Sequence, residues 1–214
     1  MLGSSLILAA TLTMTPPDLG SVLGPSDYPV WALQDNESAA TILDLLIEPN
    51  GKISRCQSGA IYGSKRLASE ICDLVKGNRV GPARDPTGNN IHGVAHTLLR
   101  LWLPDTNNGR EIERLQQASD VVLSVNRLPG EAKRAEVDVA VMVDEEGKVL
   151  ACEPAGPKVD ALLARTVCTA SDQLGVRSVK GMGGHPVPYV TKLKVELTTT
   201  WLSPQPDSSG ERPR

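Results

Sequence analysis

The chain has 214 residues, with 22 Lys and Arg against 25 Asp and Glu, for a formal net charge of −3. Mixed signs so close to balance exclude a basic surface built for nucleic acid. Aromatic residues at 3%, with no Phe, exclude a base-stacking platform, and the length suits two small domains or one medium one.

The chain opens with the apolar run Leu6-Ile7-Leu8-Ala9-Ala10-Thr11-Leu12. This falls far short of the ~20 residues that cross a bilayer, so no membrane-spanning helix is expected here. Residues 1–20 read as an export signal, although no Lys or Arg precedes the run; a plain N-terminal strand is the alternative.

A strand is expected over Ala40 to Ile47, with Thr41, Leu43, Leu45 and Ile47 on one face and Ile42 and Leu46 on the other. Pro49-Asn50-Gly51 follows as a hairpin turn, since Asn and Gly both tolerate positive φ. The return strand, Lys52 to Gln57, carries Cys56. Leu67, Ile71, Leu74 and Val75 fall at i, i+4, i+7 and i+8, which predicts a helix with Ser64 as N-cap and Gly77 as its stop. Cys72 lies on that helix, and a last strand is expected over Val94 to Leu103. A polar link, residues 104–120, is expected to be partly helical.

The same order then returns. Val137, Val139, Val141 and Val143 alternate with Asp138, Ala140, Met142 and Asp144, and Glu145-Glu146-Gly147 takes the place of the turn. Pro157, Leu163, Val167 and Leu174 mark a second helix, and Val195 and Leu197 a second last strand. Cys56 and Cys72 are sixteen residues apart, as are Cys152 and Cys168 (72 − 56 and 168 − 152), and the pairs are shifted by 96 residues (152 − 56). Gly51-Lys52, Leu67-Ala68 and Gly88 recur at that shift as Gly147-Lys148, Leu163-Ala164 and Gly184. The chain reads as a tandem duplication. Residues 203–214, rich in Pro, Ser, Gly and charge, read as a disordered tail.

Each cysteine has a partner in its own repeat, which points to Cys56–Cys72 and Cys152–Cys168 disulfides made in an oxidising compartment. Four buried thiols are the alternative. A zinc site would need closer cysteines or nearby histidines, and His92, His96 and His185 do not repeat at the 96-residue shift. His92 and His96 read as polar loop residues, and Gly181-Met182-Gly183-Gly184 as a flexible hairpin-like loop, since it follows a helix rather than a strand. Trp102 and Trp201 either cover the bottom of each core or anchor a partner. With no nucleophile elbow and no metalloprotease motif, an enzyme is not expected, nor is a cofactor.

The expected fold class is α+β: two tandem small domains, each a three-stranded antiparallel sheet with one main helix, plus a short N-terminal helix, on one face. The first strand of each copy should lie in the middle, and the last should be an edge with unpaired backbone groups.

Residues 26–103 resemble the TonB C-terminal domain, the periplasmic end of the TonB energy-transducer family. The matching residues are Asp27-Tyr28-Pro29 with Ala32, Asn50-Gly51-Lys52, the helix with Leu67, and Pro82-Ala83-Arg84-Asp85 with Gly88 before the final strand. Residues 121–202 look like a degenerate second copy, with Ser124-Val125 where Tyr28-Pro29 stood and Ser178-Val179 where Pro82-Ala83 stood. Val80 stands where the family usually has an aromatic residue. The resemblance implies a non-enzymatic periplasmic module, associated with TonB-dependent transport of nutrients across the outer membrane. Its partner would be a peptide of an outer-membrane receptor, or another envelope protein, added as a strand to the sheet edge. By position the edge is Thr97, Leu98, Leu99, Arg100, Leu101 and Trp102 in copy one, and Leu193 to Leu197 in copy two. The alternatives are a structural or accessory envelope protein whose repeats pack on each other, and a homodimer through sheet edges.

Overall fold

The computed structural model of the chain describes residues 13–20 and 22–199. It is an α+β protein in which eight strands form one mixed sheet and two more form a small hairpin. Copy one contains α1 (Val30–Gln34), β1 (Ala39–Ile47), β2 (Ile53–Gly63), α2 (Lys65–Val75), β3 (Ala83–Arg84) and β4 (Asn90–Leu101). The link carries α3 (Asn107–Arg114). Copy two contains β5 (Val121–Ser124), β6 (Arg134–Val143), β7 (Val149–Pro154), α4 (Ala161–Thr169), β8 (Val179–Lys180), β9 (Pro186–Val187) and β10 (Tyr189–Thr198).

Local chemistry accounts for most of these elements. The Ser64 hydroxyl accepts the Leu67 N–H at 3.4 Å, and α2 then buries Leu67, Ala68, Ile71 and Val75 against β1. In copy two the cap is Asp160, which accepts from Leu162 and Leu163 at 2.8 and 3.1 Å, so α4 starts after Pro157 rather than beside it. Both hairpin turns have the same construction. The Gly51 N–H bonds the Glu48 carbonyl at 2.8 Å, and the Gly147 N–H bonds the Asp144 carbonyl at 3.2 Å. Gly51 (φ 81°) and Gly147 (φ 87°) are left-handed, whereas Asn50 is not, so glycine alone meets the demand of the turn. A bulge follows at matching positions, Ser54 in β2 and Leu150 in β7, which the strand registers skip.

The expectation of two separate three-stranded domains is corrected. The main strands run in the order β2-β1-β4-β10-β6-β7, with β1 and β6 central in their halves as expected. The two last strands are interior: β4 and β10 pair in parallel, with Tyr189, Val190 and Thr191 opposite His92, Gly93 and Val94. Parallel neighbours point to the same face, so Val94 shares the face of Thr191 and packs into the core under α4. Ala95 points the other way, into the core under α2. The two main helices therefore lie on opposite faces of one sheet.

Each copy covers the bare face of the other. Ala83 and Ile91 of the β3–β4 hairpin join Met14 in packing on Ala140, Met142 and Val190 of copy two. The β8–β9 hairpin is the same element shifted by 96 residues, and it approaches copy one. Arg55 donates to the Lys180 carbonyl at 3.1 Å, and a Cβ on Gly181 would meet Nε2 of His92 at 3.7 Å. The expected glycine loop is the turn of this hairpin, closed by the Gly184 N–H on the Gly181 carbonyl at 3.0 Å. The apolar run of residues 6–12, Trp201 and the tail of residues 203–214 lie outside the described residues.

Candidate functional site at the seam between the copies

The four cysteines form two disulfides in matching places. Cys56 on β2 joins Cys72 on α2, and Cys152 on β7 joins Cys168 on α4, with Cα atoms 5.6 and 5.5 Å apart. Each bond ties the helix of a copy to its outermost main strand. Neither cysteine pair approaches the seam, so the crosslinks brace the fold rather than build a site.

The seam itself is short and unusual. β4 pairs with β1 along its length, from Gly93 opposite Ile47 to Leu101 opposite Ala39. Its other side is paired with β10 only through His92, Gly93 and Val94. Beyond that point the two strands part, and the end of the link fills the gap with side chains. The Gln117 carboxamide donates to the His96 carbonyl at 2.9 Å and accepts the Leu98 N–H at 3.1 Å. Across the gap, the Asp120 N–H bonds the Lys194 carbonyl at 2.7 Å, and the Asp120 carboxylate accepts the Lys194 N–H at 2.7 Å. A carboxamide carries the same donor and acceptor as a peptide group, so Gln117 takes the place of one residue of a missing strand. Arg100 donates to the Leu115 carbonyl from the same edge.

The six residues expected to form a partner-binding edge divide accordingly. Leu99 and Leu101 point into the core under α2, and Leu98 spends its N–H on Gln117. Trp102 is 39% exposed instead of closing the core, and with Leu19, Val22 and Arg100 it lines a hollow of about 170 Å³ beside the strand end. Copy two differs at this place. Its β5 pairs in parallel with Val195–Thr198, whose equivalents at the 96-residue shift are Leu99–Trp102. Among the described residues copy one has no such strand, and Pro25 and Pro29 stand where copy two has Val121 and Val125. Proline donates no N–H to a ladder, and Pro25 starts a short 3₁₀ turn instead.

The histidines are strand residues, which corrects their reading as loop side chains. His92 and His96 both lie on β4, facing the α4 side, and each meets a carboxylate, Glu48 just beyond β1 for His92 and Asp44 within β1 for His96. Nε2 of His92 is 3.1 Å from Glu48, whose other oxygen accepts the Ser54 hydroxyl at 2.6 Å. Nδ1 of His96 is 2.7 Å from Asp44, and its Nε2 is 3.9 Å from Asp120. Ser54 touches the carboxylate and not the imidazole, so the order is wrong for activating the hydroxyl as a nucleophile. On the α2 side of the seam a cleft of about 640 Å³ is lined by Asp18, Asp138, Lys192 and Lys194 among others. Its lysines are engaged: Lys192 sits 3.5 Å from Asp138 and Lys194 2.9 Å from Glu136. Among the described residues no cluster of three or more His, Cys, Asp or Glu is placed to hold a metal ion, and no helix is long and apolar enough to cross a membrane.

Gln117 and Asp120 were not legible as site residues. They belong to a polar link, and only the parting of β4 from β10 gives their side chains a role. Comparison with protein-family models, with curated proteins and with solved structures finds no match for this chain.

Proposed function

We propose that the chain is a non-enzymatic, TonB-like interaction module of the periplasm, made of units 26–103 and 121–202, which binds an extended peptide of an outer-membrane receptor by strand addition. In this reading the peptide pairs with β4 over Leu98 to Trp102. The observation that carries the proposal is the unequal treatment of equivalent edges. Copy two fills Val195–Thr198 with β5, while among the described residues no strand fills Leu99–Trp102 of copy one. The strand already present in copy two is a template for what copy one would accept: parallel, about four residues long, and turned inward at alternate positions, as Val121 and Leu123 are. Two disulfides suit an oxidising compartment.

A titration of the labelled protein with receptor peptides, read by NMR, tests the proposal. Shifts confined to Leu98–Trp102 and their β1 partners support it, and unchanged spectra with every receptor peptide sink it. The second reading is an accessory envelope protein whose copies satisfy one another. Its supporting observation is the β4–β10 pairing itself, together with the exchange of covering hairpins.

A further inference from the structure

We propose that residues 115–120 are a built-in stopper, whose side chains hold the β4 edge shut until an extended peptide of a partner displaces Gln117. The inference rests on the strand-addition reading above and concerns how that same edge is regulated.

An unpaired strand edge invites unwanted pairing, and proteins guard edges with charges, prolines, bulges or covers. Here the guard is a carboxamide that satisfies one carbonyl and one N–H of β4, at His96 and Leu98. An incoming strand would supply the same two partners from its backbone. Exchange therefore loses no hydrogen bond at β4, and the displaced carboxamide is solvated by water. The segment is tethered at both ends, and the Lys194 ammonium donates to the Gln117 carbonyl at 3.4 Å, so the Gln117 side chain can leave the edge while its backbone stays anchored. On one side α3 is docked by buried Ile112 and by Asn108, which donates to the Ser38 carbonyl at 3.1 Å. On the other side Asp120 is bonded to both backbone groups of Lys194.

The closed arrangement is also imperfect. Two buried side-chain polar atoms among the described residues lack a hydrogen-bond partner, Nε of Arg100 and Oγ of Ser119, and both belong to this contact. Buried polar groups are normally paired, and each exception raises the free energy of the state that contains it. Both sit at the stopper, so release of Gln117 lets both atoms reach bulk water.

Amide hydrogen exchange on the full-length, oxidised chain tests the stopper without any ligand. Gln117→Ala should speed exchange of the Leu98 amide by about tenfold, the usual scale for losing one such bond. The amides of Thr97 and Leu99, turned towards β1, should not change. Ser119→Ala should slow Leu98 exchange, because it removes an unpaired hydroxyl from the closed form. An unchanged Leu98 amide in Gln117→Ala, or a faster one in Ser119→Ala, overturns the proposal, as does loosening that spreads equally to Thr97 and Leu99. A synthetic peptide copying residues 121–126 serves as the edge probe, and it should bind Gln117→Ala at least about tenfold more tightly than the parent chain. If the exchange results hold and receptor peptides still bind neither protein, the stopper stands and the TonB-type reading falls.

Discussion

Val190 lies opposite Gly93 across the seam, one position out of step with Val94, its counterpart in the duplicated sequence. Side chains alternate along a strand, so this single-residue stagger turns the equivalent faces of the two copies to opposite sides. Val94 reaches the core beneath α4, while Val190 is fully buried among Ala83, Ala140 and Met14 on the other side. The stagger is what lets each copy cover the other.

Shared covering predicts shared unfolding. The chain should melt in one cooperative transition, with no separate step for either copy. Val190→Ala should cost about 2 kcal/mol through the lost burial and the cavity left behind, and should lower the midpoint for both copies together. Tryptophan fluorescence of a Trp201→Phe variant, which keeps Trp31 and Trp102 of copy one, and exchange of the β6 amides, which reports on copy two, should agree. Two resolved transitions would contradict the single sheet.

Cys56→Ser should destabilise the protein by about 2–4 kcal/mol, since the bond joins residues sixteen positions apart on β2 and α2. Cys152→Ser should act similarly between β7 and α4. Melting that is the same with and without reductant would show the thiols unpaired.

Gly51 and Gly77 offer a controlled comparison of glycines. Both have positive φ, but a Cβ at Gly51 would come within 2.3 Å of the Val80 carbonyl oxygen, while one at Gly77 meets nothing within 4 Å. Gly77→Ala should cost about 1 kcal/mol, the conformational term alone. Gly51→Ala should cost at least twice as much, because backbone must move. Equal losses in chemical denaturation would rule out the clash.

Alkaline pH should weaken the fold through two tyrosines. Burial pushes the Tyr28 and Tyr189 hydroxyls above their ordinary value of 10.0, and they donate to the Glu37 and Arg177 carbonyls. In the unfolded chain these groups ionise first, so above about pH 10 the unfolded state binds fewer protons and stability falls as pH rises. Below that pH their contribution is fully present. Tyr189→Phe should flatten the alkaline fall, as measured by unfolding midpoints between about pH 8 and 11.

The sequence by itself determined whatever depends on neighbours and short periods. Alternating valines at 137–143 set β6, the Leu67–Ile71–Val75 spacing set α2, and the 96-residue shift set the duplication and its two cysteine pairs. Each follows from a two-residue or 3.6-residue repeat, or from a glycine whose turn admits no other residue. The length of β2, which runs to Gly63 instead of Gln57, escaped because its outer half is exposed and shows no alternation. Only the tertiary structure decided that β4 and β10 meet, how far they stay together, and what fills the gap. Those outcomes depend on the register between strands almost a hundred residues apart, where one step reverses every face. No local pattern carries that step. The prolines at 25 and 29 were visible from the start, yet their consequence, an edge left without the strand that β5 provides in copy two, is defined only once the partner strand is in place.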